Sequence, residues 1–75
     1  MAILIDFRKV REDSQEVVYL FGHPEMDRRL VIDNRTREAR PLDGTADGTF
    51  IRVVRKITQY RETRNSWPES GMYAA

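Results

Sequence analysis

Residues 49–60 read Thr-Phe-Ile-Arg-Val-Val-Arg-Lys-Ile-Thr-Gln-Tyr, and whether this stretch is helix or strand decides the fold. Phe50, Val53, Val54, Ile57 and Tyr60 recur at the three- and four-residue spacing of one helix face. Residue type argues for a strand, since Thr49, Ile51, Val53, Val54, Ile57 and Thr58 are β-branched and lose rotamer freedom in a helix. The faces decide between them. In a strand Arg52 and Lys56 would share a side with Phe50 and Val54, and Arg55 would share the other with Val53 and Ile57, so neither side would be apolar. A helix is predicted over 49–63, capped by Asp47 or Thr49 and packing Phe50, Val54 and Ile57.

Upstream the period shortens to two. Ile3, Ile5 and Phe7 alternate with Leu4, Asp6 and Arg8, which marks a first strand with one buried face. Val17-Val18-Tyr19-Leu20-Phe21 is a second, stopped by Gly22-His23-Pro24. Leu30-Val31-Ile32 lies in a third, over Arg28 to Asp33, closed by an Asp33-Asn34-Arg35-Thr36 turn. The weakly apolar return over 37–42 contains Pro41, so as a strand it belongs at a sheet edge. The expected architecture is α+β: an antiparallel sheet of three or four strands followed by one C-terminal helix packed on one face. Residues 1–65 form the single domain of this reading and 66–75 a C-terminal tail, ordered or partner-bound, whose Trp67-Pro68 cannot continue the helix.

A chain of 75 residues has room for one small core, stabilised only marginally. It has no cysteine, which excludes disulfides and thiolate chemistry and suits the cytoplasm. The apolar start ends at Ile5, far short of a signal peptide or a membrane span. Thirteen basic and twelve acidic residues nearly cancel, but unevenly: residues 1–48 hold eight and ten, residues 49–75 five and two. The C-terminal third is therefore the basic part.

Ser66-Trp67-Pro68-Glu69-Ser70-Gly71, following a basic amphipathic helix, resembles the ends of short, Arg-rich, uncharacterised proteins of actinobacteria. The resemblance covers the last third of the chain and implies a bacterial protein without implying an activity.

Few residues suggest chemistry. Asp43, Thr45, Asp47 and Gly48 match the first positions of a calcium loop, yet Val54 stands where a bidentate Glu is required, so a helix-capping turn is expected and no metal. His23 has Glu25 and Asp27 nearby but sits in a Gly-His-Pro reversal. The scattered glycines cradle no phosphate and no cofactor motif is present, so the expectation is not an enzyme.

Two surfaces remain. Arg52, Arg55 and Lys56 cluster on the helix opposite its apolar stripe, a candidate contact for an anion or nucleic acid that is more commonly a solvated face. In the sheet, Ile3, Ile5, Phe7, Val17, Tyr19, Phe21, Leu30 and Ile32 share one face, while Leu4, Val10, Val18, Leu20 and Val31 share the other. One helix covers one face. The second is expected to meet the tail or a partner, with Leu4, Val18, Leu20, Val31 and Trp67 as the interaction surface of a self-associating module, a homodimer. Nucleic-acid binding through the helix is the alternative.

Overall fold

The computed structural model describes residues 4–23 and 25–74. Ile3 and Pro24, used above for the first strand and the first reversal, lie outside them. The chain runs β1 (Leu4–Glu12), β2 (Glu16–Gly22), β3 (Arg28–Asp33), β4 (Ala39–Pro41), α1 (Gly48–Arg64) and β5 (Ser70–Ala74). β1 to β4 form a meander, and β5 pairs antiparallel with β1, giving a sheet ordered β4-β3-β2-β1-β5. The fold is α+β, and it departs from the expected one at its end. Residues 70–74, read above as part of a tail, are a fifth strand, so the helix precedes the last strand instead of closing the chain.

Carboxylates shape the turns. Asp13 accepts from the Gln15 and Glu16 amides, both at 2.8 Å, between β1 and β2. Asp33 accepts from those of Arg35 and Thr36 at 2.7 and 2.9 Å after β3. These amides are also the main reason both carboxyls stay below the usual carboxylate range. At Gly22, φ is 150° and a Cβ would lie 2.2 Å from the Glu25 carbonyl oxygen, so only glycine ends β2 this way.

The helix begins at Asp47, which has extended backbone and accepts from the Phe50 amide at 3.0 Å. It ends at Asn65, which takes the left-handed conformation with φ 56°. Its β-branched content is overridden by burial: Phe50, Val53 and Ile57 are buried. Val53, not Val54, is the middle residue of the contact, and Val54 and Tyr60 flank it half-buried.

Ile5, Phe7, Val17, Tyr19, Phe21, Leu30 and Ile32 supply the sheet's share of this core, the face their alternation assigned. Trp67 joins them. It is 5% exposed and its indole N–H donates to the Asn34 side-chain oxygen at 2.9 Å. The neighbouring Pro68 carbonyl accepts from the buried Tyr19 hydroxyl at 2.6 Å. Burial raises the Tyr19 pKa, so this group stays a neutral donor.

Candidate functional site

The sheet face opposite the helix is the candidate site, and strand register composes it. Arg8 pairs with Leu20 and Leu20 with Arg29; Arg11 pairs with Val18, Val18 with Val31 and Val31 with Arg40. Residues paired across strands share a face. Two adjacent rows therefore cross the sheet, Arg-Leu-Arg and Arg-Val-Val-Arg, each with aliphatic side chains in the middle and guanidinium groups outside. The second row spans β1 to β4, roughly 14 Å at the usual strand spacing.

A β-bulge makes this possible. The register of β1 shifts between Lys9 and Arg11, so Lys9 pairs with Tyr19 toward the core side while Arg11 pairs with Val18 on the open side. Without the bulge these two residues would point the same way. Val10, assigned above to the regular second face, is the residue skipped by the register and is exposed. Lys9 forms ion pairs with Glu12 at 2.6 Å and Glu69 at 3.0 Å. Its hydrogen bond to Glu12 is the main cause of its raised pKa.

Burial across the face is graded. Val18 and Val31 are 8% and 4% exposed although no described element lies over them, Leu20 is half-buried, and Leu4 and Met72 are 42% and 49% exposed. Arg11 and Arg40 flank the two valines in the same row, and long arginine chains can lay methylenes over apolar neighbours while keeping the charge in water. Val31 also floors a shallow depression of about 250 Å³ walled by Glu16, Asp33, Glu38 and Arg40.

Acidic residues bound the rows. Asp6 lies beyond Arg8 on β1, and Glu16 pairs with Asp33 beyond Val18 and Val31. Arg11 is committed to Asp13 at 2.8 Å and Glu16 at 3.1 Å. Arg8, Arg29 and Arg40 are exposed and form no ion pair with a described residue. The cations of this face were not singled out from the sequence. Their signal is the register, which joins residues from four strands.

The predicted interaction residues separate into two places. Leu4, Val18, Leu20 and Val31 lie on the open face, whereas Trp67 is sealed in the core on the other side. The tail does not cross the open face, because its residues 70–74 are committed to the edge of β1. On the helix, Arg52 and Arg55 are exposed, and the Lys56 ammonium stands 5.2 Å from the centre of the Tyr60 ring. Arg64 approaches the same ring at 4.6 Å, so one of the three cations of this cluster shares an aromatic of its own chain with a cation from outside it.

The calcium-like loop already contains a cation. The Arg28 guanidinium donates to Asp43 at 2.7 Å, to both Asp47 oxygens at 3.0 and 3.1 Å and to the Thr45 carbonyl at 2.9 Å. It also lies 4.7 Å from the Phe21 ring centre. Arg28 thus ties the start of β3 to the N-cap of the helix by directing its three guanidinium nitrogens to three separate groups, a fork that a lysine lacks. His23 is exposed in the turn after β2. Among the described residues no group of three or more His, Cys, Asp or Glu side chains is placed to hold a metal, and no helix is long and apolar enough to cross a membrane.

A pH dependence follows from the loop. The Phe50 amide first, then Arg28, holds the Asp47 carboxyl below its ordinary range, and Arg28 first, then the Thr45 amide, does so for Asp43. A carboxyl depressed on folding stabilises the protein above its unfolded pKa, about 3.9, and loses that contribution as pH falls through the folded value. The midpoint of thermal unfolding is therefore expected to fall steadily as pH drops below about 4. Asp47→Asn should lower the midpoint at neutral pH and flatten part of the acid slope. A parallel pair of pH curves for wild type and variant would remove the loop from the account.

Comparison with known proteins returns no matching family model, no matching curated protein and no matching solved structure, so a functional reading of the chain rests on the open face itself.

Proposed function

We propose that the protein is a small protein-interaction module, not an enzyme, whose open sheet face receives a partner that is apolar at its centre and acidic at its margins. The observation that carries this is the pair of cross-strand rows, in which Val18, Leu20 and Val31 are framed by Arg8, Arg29 and Arg40. A buried apolar centre with a charged rim is the usual anatomy of a protein interface, and arginine is enriched there. The acids beyond the rows favour a partner lying across the strands over one running along them.

Self-association through this same face, the expectation from sequence, fits less well. A face-to-face pair would bring the unpaired arginines of both copies together, and like charges brought together at an interface are costly. Nucleic acid is also the weaker reading. Single-stranded nucleic acid is held by aromatic platforms as well as cations, and here Phe7, Tyr19, Phe21, Phe50 and Trp67 are buried in the core while Tyr60 and Tyr73 pack against it.

The test is capture from a host lysate by wild type, Leu20→Lys and Arg52→Glu/Arg55→Glu. Leu20→Lys puts an ammonium at the centre of the rows without entering the helix-side core, so it should lose the partner and retain the fold. The helix double variant should keep the partner. If the helix reversal abolishes capture and Leu20→Lys does not, the contact surface is the helix and the proposal fails. Steep loss with salt, together with release by nuclease, would assign the captured material to nucleic acid.

A further inference from the structure

The two edges of the sheet are unequally defended. β4 is three residues long and contains Arg40 and Pro41, both of which discourage another strand from pairing there. β5 has five residues, Ser-Gly-Met-Tyr-Ala, with no charge and no proline. Its neighbour on one side is β1, and no described strand lies on the other. An undefended edge of this kind presents unpaired amides and carbonyls and is a template for strand addition.

The register identifies which groups are unpaired. β5 pairs with β1 as Leu4–Ala74, Ile5–Tyr73, Asp6–Met72, Phe7–Gly71 and Arg8–Ser70, and the next backbone bond runs from the Lys9 amide to the Glu69 carbonyl at 2.7 Å. Bonded and non-bonded residues alternate along an antiparallel ladder. Gly71 and Tyr73 therefore direct their amides and carbonyls toward β1, and Ser70, Met72 and Ala74 direct theirs outward.

We infer that β5 is a homodimerisation strand, pairing antiparallel with β5 of a second copy about a two-fold axis at Met72. In that register Met72 meets its own counterpart and Ser70 meets Ala74, so every outward amide and carbonyl finds a partner. Gly71 falls opposite Tyr73 of the other copy on the helix side. It contributes no side chain there, and its Cα is overlain by the Phe7 ring, which stands 2.4 Å from where a Cβ would be. Tyr73 of the second copy, reaching across this glycine, therefore meets the Phe7 ring that already covers it. The strand is thus self-complementary in its backbone and sets no charge against itself, which is why a second copy, and not an unrelated strand, is the occupant. Met72, 49% exposed on the open face, then abuts its twin, and the two open faces become one continuous platform.

This dimer uses an edge, not the open face, so its failure and that of the interaction reading are separable. Sedimentation equilibrium of the full chain over the micromolar range should give twice the 8.8 kDa chain mass. Met72→Lys sets like charges opposite each other at the axis, and Met72→Pro removes an outward amide that β1 does not use. Either should give a monomer with unchanged circular dichroism, while Leu20→Lys remains dimeric. Because the chain has no cysteine, Met72→Cys provides a test independent of stability. It should form a disulfide-linked dimer under mild oxidation, and Ser14→Cys, far from the edge, should not. A wild type that sediments at the chain mass overturns the inference. So does a dimer insensitive to both Met72 variants, or a Met72→Cys protein that cross-links no faster than Ser14→Cys.

Discussion

Trp67→Ala should nearly abolish folding. The indole is 5% exposed within the core, and its N–H is satisfied by Asn34, a residue of the turn after β3. Truncating a buried tryptophan costs about 3–5 kcal/mol, and small domains have only about 5–15 kcal/mol in total, with the shortest chains at the low end. The loss extends beyond volume. The Asn34 amide nitrogen donates to the Asp13 carbonyl at 3.3 Å and its main-chain nitrogen to the Gln15 carbonyl at 2.8 Å, so the indole is fastened to the first hairpin through the second turn. Trp67→Phe keeps most of the packing and loses the hydrogen bond, and should fall between wild type and Trp67→Ala. Denaturant unfolding followed by far-ultraviolet circular dichroism gives the order. An alanine variant with the wild-type midpoint would mean that Trp67 does not occupy the core.

Ile57→Ala should cost about 2–5 kcal/mol. Ile57 is fully buried midway along α1, with Val53 one turn before it, where the helix meets the sheet. The C-terminal half of α1 beyond Ile57 is anchored less deeply, since Tyr60 is only half-buried. Ile57→Val removes one methyl group and should cost about 0.5–1.5 kcal/mol, which separates a cavity effect from loss of the helix. Equal midpoints for Ile57→Ala and the exposed-site control Ile51→Ala would contradict the packing described here.

The first three strands of the meander were legible because each has one face continuously apolar at period two. Ile5, Phe7, Val17, Tyr19, Phe21, Leu30 and Ile32 could be placed on one face from spacing alone, and they are there. The helix was legible because its arginines and lysine exclude any clean strand face. β5 was not legible. Ser70-Gly71-Met72-Tyr73-Ala74 carries few strand-forming residues, and it is extended because β1 offers an edge, a fact located more than sixty residues away in the chain. The Arg28 clamp was hidden for the same reason. Asp43 and Asp47 were visible as turn and cap, but the guanidinium that bridges them comes from the start of β3. In the candidate site the aliphatic centre was legible and the arginine frame was not, because only the cross-strand register brings Arg8, Arg29 and Arg40 together, and the bulge at Lys9–Arg11 moves Arg11 onto the face that simple alternation denies it.

The segregation of aromatic rings to the helix side has an optical consequence. The chain has one tryptophan, and it is shielded from water, with the Arg61 guanidinium 5.5 Å from its ring centre. Its emission therefore reports on the integrity of the core. A partner settling on Leu20 and the arginine rows would touch no aromatic side chain and should leave that emission unchanged. Intrinsic fluorescence is thus a clean monitor of unfolding and a blind one for docking on the open face, and a spectral change on mixing would signal rearrangement of the interior instead of occupancy of the surface.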